Sequence, residues 1–392
     1  MKKAVIIGAG RIGRGFVTEL LLKNGYEVVF FEASDEMIEK LNSAGSYTIH
    51  VLGHEELDTK VENVRAFSIN DPDTLAQEWE TADLVFASVG GKNIPFIGKA
   101  LGQAFKKLCK DKKVKITNII TCENWIDPSK ILKESLLNEL DSSEQELFLK
   151  NTGVSESVVM ATGTGSPNSD EQTNEMDTWV QNMWYLPVDR EKITGPLPEL
   201  KYITFVESFG NLLQQKLYTF NASVALIAFL GRLKGYTYVG DAANDPDIEK
   251  ILDKEYEEIQ KALVNGMGVS EESQKTLAKQ AKSKYQDKEI VDALTRVARD
   301  PIRKLGPTDR LIGPARLALD AGEKPVSIAL AIAAALYYED ENDSSAVKLK
   351  EMRESKGIDY ILENISMLKK DEPLTGIVKE AIEDLKTKGW IK

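Results

Sequence analysis

Six residues near the start of the chain, Gly8-Ala9-Gly10-Arg11-Ile12-Gly13, constrain its fold more than any other feature. An apolar run suited to a buried strand, residues 4–7, precedes them, and a helical apolar stripe over 16–22 follows. In such a loop Gly8 permits the tight turn, Gly10 lets the backbone approach a pyrophosphate, and Gly13 lets helix and strand pack closely. The helix that follows offers free N–H groups and the positive end of its dipole to phosphates. A bare GxGxxG is weak, because glycines cluster by chance. Here the context is complete: a second strand over 27–31 ends at Glu32, nineteen residues past Gly13. The Glu32 carboxylate can accept hydrogen bonds from an adenosine ribose and repels a 2′-phosphate, so the cofactor expected is NAD and not NADP.

The β-α-β alternation continues. Ser34 or Asp35 is placed to cap a helix carrying Met37, Ile38 and Leu41; strands are expected over 84–88 and 116–121, with a crossover helix over 94–108 between them. This is an α/β Rossmann domain with a mostly parallel sheet covered on both faces. From about Leu197 onward the patterns turn helical. Asn244-Asp245-Pro246 starts a helix to about Val264, and Ser270 caps another with Glu271 and Glu272 in its first turn. Further helices are expected over 287–299, 314–321, 327–338 and 375–388, which makes the second half an all-α domain. Three prolines mark 187–198 as the linker, and the domains are taken as 1–195 and 196–392.

At 392 residues the chain can hold two domains with full cores. No apolar run approaches the ~20 residues of a membrane helix, and 327–338 reads as a buried helix. The glycine loop lies too near the start for a signal peptide. With only Cys109 and Cys122, the chain fits a reducing compartment, and the cytoplasm is expected. A net charge of −12 works against nucleic acid and anionic membranes as partners but not against a small anionic substrate. The sequence does not define the oligomeric state. His50 and His54, four apart in an expected strand, read as structural and not as a metal pair.

Lys216 and Asn221, five residues apart at the head of the helical half, would alone read as a solvated helix face. They accompany the segments Gly8–Gly15, 46–51, 119–124 (Ile-Ile-Thr-Cys-Glu-Asn), 300–305 and 309–312. On these motifs, spread over nearly the whole chain, the sequence resembles the polyol-specific long-chain dehydrogenases, the mannitol dehydrogenase family. The resemblance implies an oxidoreductase of carbohydrate metabolism that passes a hydride between NAD and a polyol or polyol phosphate, without a metal. It implies that Lys216 is the general base and that Asn221 and Asn124 donate hydrogen bonds to the developing alkoxide. A lysine base must be neutral; lowering its pKa from about 10.4 towards 7–8 amounts to roughly 4 kcal/mol, within reach of burial and a neighbouring cofactor. Arg303, Lys304 and Arg310 form a basic cluster where the phosphate-using members are matched, so they are candidate phosphate contacts. The bland alternative is ion pairing to Asp300 and Asp309.

Two departures stand out. Val224 replaces a histidine of the family pattern, and Met160 and Ala161 align with an Asp-Arg pair. With ~100° per residue, Val224 falls near 80° from Lys216 and Asn221 near 140°, which sets the valine between the two. Three readings remain open: a dehydrogenase of altered substrate preference, a conventional family member, and an NAD(H)-binding sensor with little turnover. Cys122 reads as a small buried residue and not as a nucleophile.

Overall fold

A computed structural model describes residues 2–164 and 174–391. The chain forms two compact units, Met1–Phe209 and Gly210–Lys392.

The first unit is built on six parallel strands in the order Ala66–Ser68, Tyr26–Glu32, Lys2–Ile7, Leu84–Ala87, Thr117–Thr121, Thr152–Glu156. Numbered along the chain this is 3-2-1-4-5-6, the doubly wound arrangement whose order reverses beside the first strand. Strands buried on both faces read as unbroken apolar runs, which is why Ala4–Ile7 and Val28–Phe31 were legible. Helix Ile94–Lys110 covers one face, burying Ile97, Leu101, Phe105 and Leu108 against Val5, Val29 and Val85. A smaller sheet joins Ser46–Val51 to Thr59–Glu62, Thr178–Val180 and Gly163–Thr164.

The expected linker is not one. Pro187 lies in strand Leu186–Asp189, which pairs in parallel with Ile203–Val206 in the half expected to be purely helical. Proline lacks only the N–H, and a two-stranded ribbon tolerates that loss at its edge. Reciprocal hydrogen bonds of Asn118 with Thr194 and of Asn24 with Lys201 fasten the same stretch to the first unit.

The second unit is helical. Its centre is Val326–Leu336, with every residue from Ser327 to Leu336 buried, packed by Ala222–Leu233, Pro246–Met267 and Pro373–Thr387. Asp245 caps Pro246–Met267 by accepting from the amides of Asp247 and Ile248, and Ser270 caps Glu271–Gln286 through the Ser273 amide. The helix expected over 287–299 shrinks to Leu294–Ala298. The backbone of 292–294 instead bonds that of 237–239, with Val239 N–H donating to Asp292 O and Leu294 N–H to Thr237 O. Those bonds take up the groups a helix would have used. Among the described residues no helix is long and apolar enough to cross a membrane.

Candidate functional site

The glycine loop sits at the C-terminal end of strand Lys2–Ile7, where the sheet order reverses. Gly8 has φ +94°, and a Cβ placed on it would lie 2.2 Å from the Ser88 carbonyl oxygen. A Cβ on Gly13 would lie 2.2 Å from Gly8 O, so the helix can approach the strand only without one. Gly10 differs: a Cβ there would meet nothing within 4 Å. Its bareness serves no packing need and leaves space in a cleft of about 470 Å³ lined by Gly8, Gly10, Arg11, Ile12, Glu32, Ser88, Val89 and Gly90. Ala9 completes the loop by donating its amide to Glu32 Oε2 at 2.8 Å, and Glu32 Oε1 accepts from Ala33 N–H at 2.7 Å. Glu32 thus ties the loop to the end of the second strand while facing the cleft. A dinucleotide fits these residues: room for pyrophosphate beside Gly10, and a carboxylate one strand away for a ribose.

The first turns after the loop, Ile12–Val17, form a wide helix in which Thr18 N–H reaches back five residues to Gly13 O. Glu123 accepts from the amides of Val89 (2.5 Å) and Gly90 (2.9 Å), pinning the loop that carries Asn124 to the turn lining the cleft. That bracing function has no signature in the sequence. Cys122 is buried, accepts from the Ser157 hydroxyl, and has its thiol pushed up to about 12 by burial. Such a thiol is inert. His50 packs on Trp179 and bonds Asp58, whereas His54 bonds Glu56. Among the described residues no three His, Cys, Asp or Glu side chains are grouped to hold a metal ion.

In the second unit Lys216 ends helix Phe209–Lys216 and Asn221 ends the following turn, Leu217–Asn221. This turn too is of the wide i→i+5 kind, with Ala222 N–H bonded to Leu217 O. Wide turns of this type concentrate at functional sites. The expected 140° between Lys216 and Asn221 assumed a regular helix; an i→i+5 turn brings residues five apart to about one turn's separation. The asparagine therefore lies closer to the lysine's side of the helix than the regular geometry allowed. Lys216 is only 8 % exposed. Burial, and then the Arg310 guanidinium, push its ammonium down to about 8.

Arg310 is 14 % exposed and held by Asp309, which also pairs with the more exposed Arg303; Arg303 in addition pairs with Asp300. Lys304 is buried, donates to the Arg299 carbonyl, and is pushed down to about 7 by burial and by Arg310 and Arg303. Sequence reasoning passed over a further lysine, Lys284, whose ammonium is lowered to about 8 by burial and by Lys216. Its signal was available: Lys284 follows the buried Leu277 and Ala281 of Glu271–Gln286 at helical spacing and is itself half-buried. Val224 is partly buried in Ala222–Leu233, and Met160 and Ala161 are buried in the first unit.

A Rossmann unit with an open glycine loop and a carboxylate lining its cleft, followed by a helical unit with a lysine lowered to about 8, fits the class of nicotinamide-dependent dehydrogenases with an all-α second domain. The mannitol dehydrogenase Rossmann-domain model matches residues 2–194, and the mannitol dehydrogenase C-terminal-domain model matches 209–386. The chain is 31% identical over 388 residues to a mannitol-1-phosphate 5-dehydrogenase of Oceanobacillus iheyensis, with 98% of each chain covered. It is 32% identical over 376 residues to the enzyme of that name from Bacillus licheniformis, covering 96% of this chain and 98% of the relative. Two solved structures share the fold. D-sorbitol dehydrogenase in substrate-free form has a TM-score of 0.79 at 15% identity, covering 99% of this chain and 93% of that one. The Pseudomonas fluorescens mannitol 2-dehydrogenase, a ternary complex with NAD and D-mannitol, has a TM-score of 0.67 at 13% identity, covering 99% and 92%. The chain belongs to the mannitol dehydrogenase family and is an NAD-dependent oxidoreductase of that class.

Proposed function

We propose that the protein oxidises a polyol phosphate of the mannitol 1-phosphate type, without a metal and with Lys216 as general base. The observation that carries this reading is the buried Lys216 beside Arg310, its ammonium lowered to about 8. A surface lysine near 10.5 is almost wholly protonated at pH 7, whereas one near 8 is neutral to about a tenth there and to about half at pH 8. An NAD(H) sensor would have no use for such a group. NAD, when bound, supplies the hydride acceptor. Lys216 takes the hydroxyl proton as the carbon–hydrogen bond breaks, and Asn221 and Asn124 donate to the oxygen while it carries negative charge.

The relatives named for a phosphorylated substrate and the cations around Arg310 support the phosphate end of the reading. Val224 and Met160 each put an apolar group where a hydroxyl contact is expected in the family, so the substrate preference proposed is shifted away from mannitol 1-phosphate itself. Binding energy lost along the hydroxyls shifts weight onto the phosphate, for which a guanidinium makes a charge-assisted, bidentate contact. Arg310→Ala is expected to raise KM for a polyol phosphate at least about tenfold more than KM for the free polyol, roughly 1.4 kcal/mol of discrimination. Steady-state kinetics on the two substrates checks this, and an equal rise in both would remove Arg310 from the phosphate site.

A further inference from the structure

Parallel neighbours in a sheet deliver the turns that follow them to the same edge, and Leu84–Ala87 and Thr117–Thr121 are such a pair. Cys122 N–H donates to Ala87 O at 2.7 Å and carries the pairing past the end of the second strand. Beyond it residues 123–127 form an irregular loop that ends at the buried Pro128, the first residue of helix Pro128–Leu137. Asn124 lies in this loop, and a donor to a reacting oxygen must be held to within about 0.5 Å of its working position.

Both chain neighbours of Asn124 are fastened to one turn, Val89–Gly91, which lines the cofactor cleft through Val89 and Gly90. On one side the Glu123 carboxylate accepts from the Val89 and Gly90 amides. On the other side the Trp125 indole lies against Gly91: a Cβ added there would sit 2.0 Å from the ring carbon Cδ2, and the three atoms nearest to it all belong to the indole. Gly91 opens the helical turn Gly91–Asn93, a conformation any residue adopts, so its bareness answers to the ring and not to the backbone. The turn is itself braced, with the Asn93 side chain donating to Val89 O at 2.7 Å and the Asn93 amide to Gly90 O at 2.9 Å.

Trp125 is 48 % exposed, whereas the core residue Trp79 is 2 % exposed. Enclosure therefore does not account for the placement of Trp125; the contact with Gly91 does. A loop pinned by Glu123 alone could pivot about that point, and a second contact two residues on removes the freedom.

We propose that Trp125 is a positioning residue, whose indole on Gly91 acts with the Glu123 bonds to hold Asn124 in register with the cofactor turn. This rests on the reading of Asn124 as a donor to the reacting oxygen. The two contacts tie the placement of that donor to the turn against which the cofactor seats.

The test measures kcat and KM at saturating NAD for mannitol 1-phosphate, or for the hexitol phosphate that wild type oxidises fastest, together with the Kd for NADH. Trp125→Ala is expected to lower kcat about tenfold or more while KM and the Kd for NADH stay within about threefold, because a donor that acts in the transition state is displaced and the cleft is not. Trp125→Phe, which keeps a flat ring on Gly91, is expected to stay within about threefold of wild type. Gly91→Ala drives a methyl into the indole and should lower kcat about as much as Trp125→Ala. In the double variant the two losses should not multiply, since the added methyl meets no ring. Retained NADH binding shows that each variant is folded. Multiplying losses, an unchanged kcat in Trp125→Ala, or a Kd for NADH that rises in proportion to the fall in kcat would overturn the inference. Wild-type kcat in Asn124→Ala would overturn it differently, by removing the donor that Trp125 serves. A wild type inactive on every hexitol phosphate removes the polyol-phosphate reading alone, and the same comparison then runs on D-mannitol and D-sorbitol.

Discussion

Lys216→Met is expected to lower kcat for polyol oxidation by about 10³-fold or more while changing the Kd for NADH by less than about twofold. The described residues lining the cleft beside the glycine loop belong to the first unit, and Lys216 belongs to the second. Stopped-flow hydride transfer and fluorescence titration of NADH separate the two quantities, and near-wild-type turnover in the variant would refute the assignment of the base. The same lysine sets a pH dependence. Below about 8 Lys216 is protonated and cannot act as base, so kcat for oxidation should rise with pH and level off above that value. It also has a stability signature. The folded-state value lies below the ordinary 10.5, so between about 8 and 10.5 the unfolded chain binds more protons and stability rises with pH. Below about 8 both states are protonated and the cost of the buried ammonium is fully present. Lys216→Met, which keeps the side-chain volume and removes the charge, should therefore raise Tm at pH 7.

Gly8→Ala should destabilise the first unit by roughly 2–5 kcal/mol and abolish NADH binding, because it combines a φ of +94° with a Cβ 2.2 Å from the Ser88 carbonyl. Gly10→Ala is the informative partner. Its Cβ meets nothing within 4 Å, so Tm should stay within a few degrees of wild type while the Kd for NADH rises about tenfold or more. The first glycine answers to the strand behind it and the second to the ligand in front of it. Thermal unfolding and NADH titration of both variants decide this. A Gly10→Ala protein that binds NADH like wild type would remove the pyrophosphate from the space beside that glycine.

What could be read from residues alone followed from local physics. The central strands were legible because burial on both faces makes them continuous apolar runs, and the caps Ser34, Asp245 and Ser270 announced their helices. Thr152–Glu156 was placed only through the family resemblance and not by an apolar run, because it is polar although buried: Ser155 Oγ donates to Asp189 O, and Glu156 pairs with Lys192. The pairing of Ser46–Val51 with Thr178–Val180 spans more than a hundred residues and leaves no local trace. At the candidate site, Lys216 and Asn221 came from resemblance, whereas the wide turn that repositions them is invisible to a count at 100° per residue. Lys284 was missed for the opposite reason. A lysine in a charged helix reads as solvated until the apolar stripe it extends is followed to its end.

NAD-linked oxidation of a phosphorylated polyol is tested most directly by initial rates of NADH formation. The assay sets mannitol 1-phosphate and other hexitol phosphates beside the matching free hexitols, above pH 8. Turnover is expected on at least one hexitol phosphate, with kcat/KM at least about tenfold above that of its free form. No NADH from any hexitol phosphate, or equal kcat/KM for phosphorylated and free forms, would contradict it.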